Sequence, residues 1–185
     1  PHQQGHGRAF AIAFWSSDRV HGVARRSEDG GQSWGAPITI AEKGYHGGGT
    51  IADPKTGDIL VFVEDRQPPA PLTLYRSQDD GQSWTPAPIT IHPDGQGNIP
   101  SMHMNEHGIT LTRPPHRGRL IRASRFYAVR DGQETWPEQY TNAIYSDDGG
   151  RTWQTSGPFP EKGTGEAALV ELSDGSLYYN SRMHW

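Results

Sequence analysis

The sequence predicts an all-β fold, and three observations lead to it. Apolar residues fall in short runs of four to seven, too brief for most helices and suited to strands. Between the runs, Gly (23 residues) and Pro (15) gather with Asp, Asn and Ser, the residues that turns require. One turn-forming octapeptide also recurs three times. At 185 residues the chain is long enough to bury a core, although only 32% of it is hydrophobic.

The repeated octapeptide reads Ser-Glu-Asp-Gly-Gly-Gln-Ser-Trp at 27–34, Ser-Gln-Asp-Asp-Gly-Gln-Ser-Trp at 77–84 and Ser-Asp-Asp-Gly-Gly-Arg-Thr-Trp at 146–153. Its copies begin 50 and then 69 residues apart, close to the ~40–50 residues of a propeller blade with one insertion in the second interval. The Asp of each copy (Asp29, Asp79, Asp148) is placed to accept backbone N–H groups further along a tight turn. A Gly supplies positive φ, and the closing Trp (Trp34, Trp84, Trp153) is expected to fold back as an apolar plug. Each copy is therefore read as a structural turn between two strands. Residues 20–25, 72–75 and 143–145 are the strands leading in, and 37–40 and 88–91 lead out of the first two.

This repeat resembles the Asp box of sialidases and related propellers, and the resemblance extends to the strands around it. The stretch Asp-Pro-Lys-Thr-Gly-Asp at 53–58 with Ile-Leu-Val-Phe-Val at 59–63 looks like the hairpin that opens the second sialidase blade. Residues 107–111 with 118–121 resemble the third blade, and 165–182 resemble the fourth in one of the family's more specific stretches. The match runs from about residue 9 to residue 182. It implies a sialidase-type β-propeller, here about three and a half blades of a six-bladed ring, each of four antiparallel strands. The blades are expected at about 9–42, 45–95 and 100–160, with the start of a fourth at about 163–185.

The resemblance implies an exo-α-sialidase-like glycoside hydrolase acting on terminal sialic acids of glycoconjugates, with no cofactor and no metal. Arg182 matches one of three arginines that clamp the sialic acid carboxylate, a role suited to its planar fork of donors. Glu166 matches the glutamate that takes the proton of a tyrosine nucleophile, the family's exception to paired-carboxylate hydrolysis. In the first blade, Asp18 is the sole carboxylate of the short loop 16–19 and stands where the acid catalyst is expected; a solvated turn aspartate is the competing reading. Without the family, a Glu in a turn and an Arg at a strand end are ordinary surface charges.

Other family features find no match. The first clamp arginine is absent, Arg8 lying too close to the next strand, and neither a third clamp arginine nor the nucleophile is found: Tyr127, Tyr140, Tyr178 and Tyr179 do not match its position. Residues 44–49 read Gly-Tyr-His-Gly-Gly-Gly where relatives often place an Asp facing the sugar. The chain alone is therefore expected to be weakly active or inactive, and self-association of an open half-ring is expected from its free edges. The alternative is a non-catalytic Asp-box module that binds glycans or protein.

Composition sets further bounds. A net charge of −4 and a pI near 6.1 leave no basic footprint for nucleic acid. The chain has no Cys, no run long enough for a membrane span, and no signal-peptide pattern at 1–8; secretion or a periplasmic location is favoured only by the family. His103 and His107 stand four apart but between Pro100 and Gly108, which argues against the helix a two-His metal site would need. The glycines at 47–49 lack the Lys-Ser/Thr of a phosphate loop. Trp15, Trp34, Trp84 and Trp153 are read as core, and Trp136 as loop packing or a sugar platform.

Overall fold

The structure, a computed structural model, describes residues 9–15, 21–47, 49–66, 68–102, 107–127 and 137–183. Fifteen strands form four sheets among these residues, with no α-helix. The first sheet joins β1 (Ala9–Trp15), β2 (His21–Ser27) and β3 (Ile38–Ala41) in that order. In the second, β4 (His46–Gly47) and β5 (Ile51–Ala52) both pair with β6 (Ile59–Glu64), followed by β7 (Leu72–Ser77) and β8 (Thr85–Ala87). The third runs β10 (Ile109–Thr110), β11 (Leu120–Phe126), β12 (Tyr140–Ser146), β13 (Thr152–Thr155), and the fourth is the hairpin of β14 (Thr164–Glu171) and β15 (Leu177–Met183).

One strand departs from the expected four antiparallel strands per sheet. After the second Asp box the chain crosses to the rim of the third sheet, where β9 (Thr90–Ile91) pairs in parallel with β13. Thr90 N donates to Arg151 O at 3.0 Å and His92 N to Trp153 O at 2.9 Å, so the outer edge of β13 finds a partner.

Middle strands carry continuous burial because sheets cover both of their faces. All six residues of β6 are buried, as are six of the seven in β11 and in β12. Between the second and third sheets lies a cluster of Ile51, Leu60, Phe62, Leu74, Met102, Leu120, Ile144 and Trp153. Between the third and fourth, Leu111, Ile121, Ala123 and Ala143 meet Ala167 and Leu169. Successive residues of β11 thus serve two interfaces, with Leu120 facing back toward the second sheet and Ile121 forward toward the fourth. At the innermost strands the sheets touch through backbone: Gly108 N donates to Thr50 O at 3.0 Å. A β-carbon on Gly108 would meet Ile121 O at 2.8 Å, and one on Gly49 would meet the His107 Cα at 2.6 Å, so neither position has room for a side chain.

The three boxes fold alike, each as a turn joining the last two antiparallel strands of its sheet: β2 to β3, β7 to β8 and β12 to β13. In the third copy, Ser146 Oγ donates to Asp148 Oδ1 at 2.8 Å and accepts Gly150 N at 2.9 Å, while Thr152 N donates to Asp148 Oδ1 at 2.9 Å. Ser27, Asp29 and Ser33 repeat this pattern, as do Ser77, Asp79 and Ser83. The Ser33 hydroxyl and amide hold Asp29 well below the usual carboxylate range, and Ser83 holds Asp79 down to about 2 in the same way. Asp80, at φ 57°, takes the left-handed position that Gly30 and Gly149 occupy in the other copies, a conformation Asp tolerates better than most residues.

The closing tryptophans are not equivalent. Trp153 is fully buried, edge-on to Phe62 at 5.1 Å, with Nε1 donating to Gly150 O at 3.0 Å. Trp84 is half-buried against Ala41, Val61 and Val63. Trp34 corrects the core assignment, since it is 41% exposed. The clusters receiving Trp84 and Trp153 draw on residues of the preceding sheet, and no sheet of the described residues precedes the first. The side chain of Trp15 lies outside the described residues, as does Trp136.

Candidate functional site

The boxes and the candidate catalytic residues occupy opposite ends of the sheets. Ser77 pairs with Ile59 and Ser146 with Leu120, so the boxes sit where β6 and β11 begin. Glu64 ends β6, Arg125 lies one residue from the end of β11, Glu166 is the third residue of β14 and Arg182 the penultimate residue of β15. Cross-sheet bonds keep each end in register: Arg76 Nη2 donates to Gly149 O at 2.7 Å at the box end, and Met102 N donates to Glu64 Oε1 at 3.2 Å at the other.

Glu166 reaches its place through a β-bulge. Thr164 pairs with Met183 and Ala167 with Ser181, so three steps along β14 face two along β15, and the extra residue re-aims the local side chains. Arg182 Nη1 then donates to both Glu166 carboxylate oxygens, at 3.1 and 3.0 Å. The pair opens to solvent, with side-chain exposures of 62% for Arg182 and 27% for Glu166. Two residues singled out in the sequence for complementary roles are thus in direct contact.

A second set of polar groups is buried on the two faces of the third sheet. Toward the second sheet, Glu64 and Arg122 are fully buried, and Ser124 Oγ donates to Asn142 Oδ1 at 2.6 Å. Burial pushes Glu64 up to about 7, although bonds from Ser101 and Met102 and the charges of Arg122 and Arg125 oppose the rise; burial likewise pushes Arg122 down. Both directions show desolvation outweighing mutual attraction. Toward the fourth sheet, Arg125 is 4% exposed, donates from Nη2 to Gln139 Oε1 at 2.8 Å and lies 4.5 Å from the centre of the Tyr127 ring.

Sequence reasoning passed over Glu64, Arg122 and Arg125. A charge at a strand end, or at alternate positions of a strand, ordinarily reads as a solvent face. The available signal was that β6 and β11 are middle strands flanked by further strands, so both of their faces are covered.

At the box end, a cavity of about 970 Å³ lies between the second and third sheets, lined by Lys55, Arg117 and Arg151 among others. Its other charges serve one another: Arg76 pairs with Asp58, and Arg119 donates to both oxygens of Asp147 at 2.8 and 2.7 Å. These are ties between strands and sheets, remote from Glu166. Asp18, Arg8 and His103 lie outside the described residues, and among the described residues no cluster of metal-ligating side chains occurs. Tyr140 and Tyr179 are structural: the Tyr140 hydroxyl donates to Asp94 Oδ2 at 2.5 Å and the Tyr179 hydroxyl to Asn142 O at 2.7 Å.

No family model matches the chain. A sialidase of Micromonospora viridifaciens is 33% identical over 86% of this chain, and one of Bacteroides fragilis 27% identical over 85%. The chain spans 27% and 32% of the length of these two relatives. Among solved structures, a Hadza microbial sialidase aligns with 97% of the chain and 40% of its own length, at a TM-score of 0.73 and 22% identity. A Trypanosoma rangeli sialidase, captured as its covalent intermediate with 2,3-difluorosialic acid, aligns with 96% of the chain and 27% of its own length, at a TM-score of 0.60 and 14% identity. At such identities the structures speak for the fold, and the curated relatives for the kinship. The chain is therefore related to the sialidases and is built as part of a sialidase-type β-propeller.

Proposed function

We propose that this chain supplies part of the active site of an exo-α-sialidase, a glycoside hydrolase that releases terminal sialic acid from glycoconjugates. The observation that carries the proposal is the Arg182–Glu166 pair, open to solvent at the end of the sheets opposite the boxes, in a chain related to sialidases. A guanidinium has five N–H donors, and Glu166 engages one nitrogen of Arg182, so further donors remain for a sugar carboxylate. In this reading Glu166 accepts the proton of a tyrosine nucleophile, making a neutral phenol nucleophilic toward an anionic sugar, and Asp18 is the acid that protonates the leaving oxygen. Sialylated glycans are then the partners.

The test is hydrolysis of a fluorogenic sialoside by the full-length protein, by Arg182→Ala and by Glu166→Gln. Each substitution is expected to lower kcat/KM by a factor on the order of 10² or more, about 3 kcal/mol of transition-state stabilisation. Unchanged rates would overturn the assignment of both residues, and a full-length protein that binds sialosides without cleaving them would favour a binding module. The 185 residues alone, spanning about a quarter to a third of the curated relatives, are expected to turn over slowly or not at all.

We further propose that the chain made alone self-associates. The fourth sheet has two strands and exposes Val170, Leu172, Leu177, Tyr178 and Met183, an apolar set that a soluble surface rarely leaves open. A sharp monomer peak by light scattering at high concentration would refute this. No helix among the described residues is long and apolar enough to cross a membrane.

A further inference from the structure

The groove between neighbouring sheets at the box end repeats with the sequence, and its two copies differ in charge. Between the first and second sheets, a cavity of about 530 Å³ is lined by Arg26, Glu28 and Gln82 among others. The cavity of about 970 Å³ between the second and third sheets is its counterpart, with Arg76, Gln78 and Arg151 in the matching places. Arg26 and Arg76 each precede a box, Glu28 and Gln78 stand second in it, and Gln82 and Arg151 stand sixth in the box that follows. In the first copy Arg26 pairs with Glu28 at 2.8 Å, and no other charged side chain among the described residues lines the cavity. In the second the acid is replaced by Gln78 and the neutral Gln82 by Arg151, and Lys55 and Arg117 join the lining.

We propose that the larger cavity binds a sulfate or phosphate group through Lys55, Arg117 and Arg151. Four carboxylates share its lining, and each is already engaged. Asp58 pairs with Arg76, and Asp147 takes two hydrogen bonds from Arg119. Asp148 accepts the Ser146 hydroxyl and the amides of Arg151 and Thr152 inside its own box. Asp53 is 4% exposed and accepts the Lys55 amide at 2.9 Å. Lys55, Arg117 and Arg151 are exposed, and none of the ion pairs among the described residues includes them. Three cations from three different turns therefore share one cavity without a carboxylate of their own, a surplus that an anion would neutralise.

The turns that carry these cations are fixed before any ligand arrives. Gly57 N donates to Asp53 O at 2.8 Å across the Lys55 turn, and Gly118 N donates to Leu111 O at 2.7 Å across the Arg117 turn. Arg117 Nε rests on Thr112 O at 2.9 Å, which leaves both of its terminal nitrogens to a ligand. Arg151 spends one donor, Nη1 on Asp148 O at 3.1 Å, and keeps the rest of its fork. Across the cavity, Arg76 Nη2 ties the two walls together at Gly149 O, so little order remains to be imposed on binding. Forked guanidinium donors and a point-charge ammonium together suit a compact tetrahedral oxyanion. A nucleic acid backbone would need a longer row of cations than three around one cavity, on a chain of net charge −4. The cavity lies at the end of the sheets opposite Glu166, so the inference is independent of the proposed function.

The experiment is a calorimetric titration of the full-length protein carrying Arg182→Ala, which removes a competing anion site at the other end of the sheets. The probes are inorganic sulfate, inorganic phosphate, galactose 6-sulfate and unesterified galactose, with ionic strength balanced by chloride throughout. The anions should bind and galactose should not. In the same background, Arg151→Gln, Arg117→Gln and Lys55→Gln should each weaken binding about tenfold, the lower end for a charge-assisted hydrogen bond, and the triple variant should abolish it. Arg151→Gln installs the residue that stands sixth in the second box, and the other two positions are exposed, so any one of the three that stays folded decides the question. Galactose 6-sulfate binding more tightly than sulfate would make the ligand an ester on a sugar, and the reverse order would make it the free ion. Absence of binding beyond the chloride control would overturn the proposal, as would binding that the three substitutions leave unchanged.

Discussion

Glu64 makes stability depend on pH in a direction opposite to most carboxylates. Fully buried at the end of β6, it is raised from an ordinary 4.5 to about 7. Between these values the folded state holds a proton that the unfolded chain releases, so stability falls as pH rises. The contribution is fully present below about 4.5 and is lost as pH passes about 7. At 1.36 kcal/mol per pH unit the loss is about 3 kcal/mol, a sizeable share of the stability of an ordinary domain. The perturbation is Glu64→Gln, which keeps an oxygen for the Met102 amide and cannot titrate. Urea denaturation of both proteins from pH 4 to pH 8 measures the effect, and the informative quantity is the difference between the two curves. It should swing by about 3 kcal/mol in favour of the variant across that range. A difference that stays flat within about 0.5 kcal/mol, or swings the other way, would mean that Glu64 is ionised throughout and that the Arg122 charge outweighs burial.

Two further predictions use the box end. Trp153→Ala should cost about 3–5 kcal/mol, the range for emptying a large aromatic from a sealed core, whereas Trp34→Ala, 41% exposed and able to admit water, should cost less than half as much; equal losses in denaturant melts would refute the distinction. Arg76→Ala strips Asp58 of its cation and the third box of a tie to the second sheet, and should cost about 3 kcal/mol; a double-mutant cycle with Asp58→Asn that shows no coupling would refute the pairing.

What the sequence disclosed follows from how local each feature is. A box turn is closed by atoms within eight residues, so Asp29, Asp79 and Asp148 could be placed in hairpin turns without any knowledge of the rest of the chain. Glu166 and Arg182 were found through the motif around them, but their contact was not foreseen, because it depends on the one-residue bulge in β14. Trp34 shows the limit of reading by repeat: its octapeptide is equivalent to the others, yet burial is decided by a neighbouring sheet. Arg122 and Arg125 show it again, since Arg122 and Ser124 on one face of β11 and Arg125 at the end of the other read as solvent-facing charges and polar groups, and only the stacking of sheets makes both faces dry.

The backbone contacts at Gly49 and Gly108 bear on curvature. Neighbouring sheets meet backbone to backbone at their inner strands, so the closeness of that approach bears on the angle through which one sheet is turned from the last. A methyl group at Gly108 would meet Ile51 Cδ1, on the second sheet, at 2.6 Å and act as a shim there, opening that angle. Since a circle closes only when such angles sum to a full turn, an error at one hinge cannot stay local: it is passed on to the seam where the first and last wedges must meet. The tolerance of the entire ring would then be written into two positions where the chain carries no side chain at all.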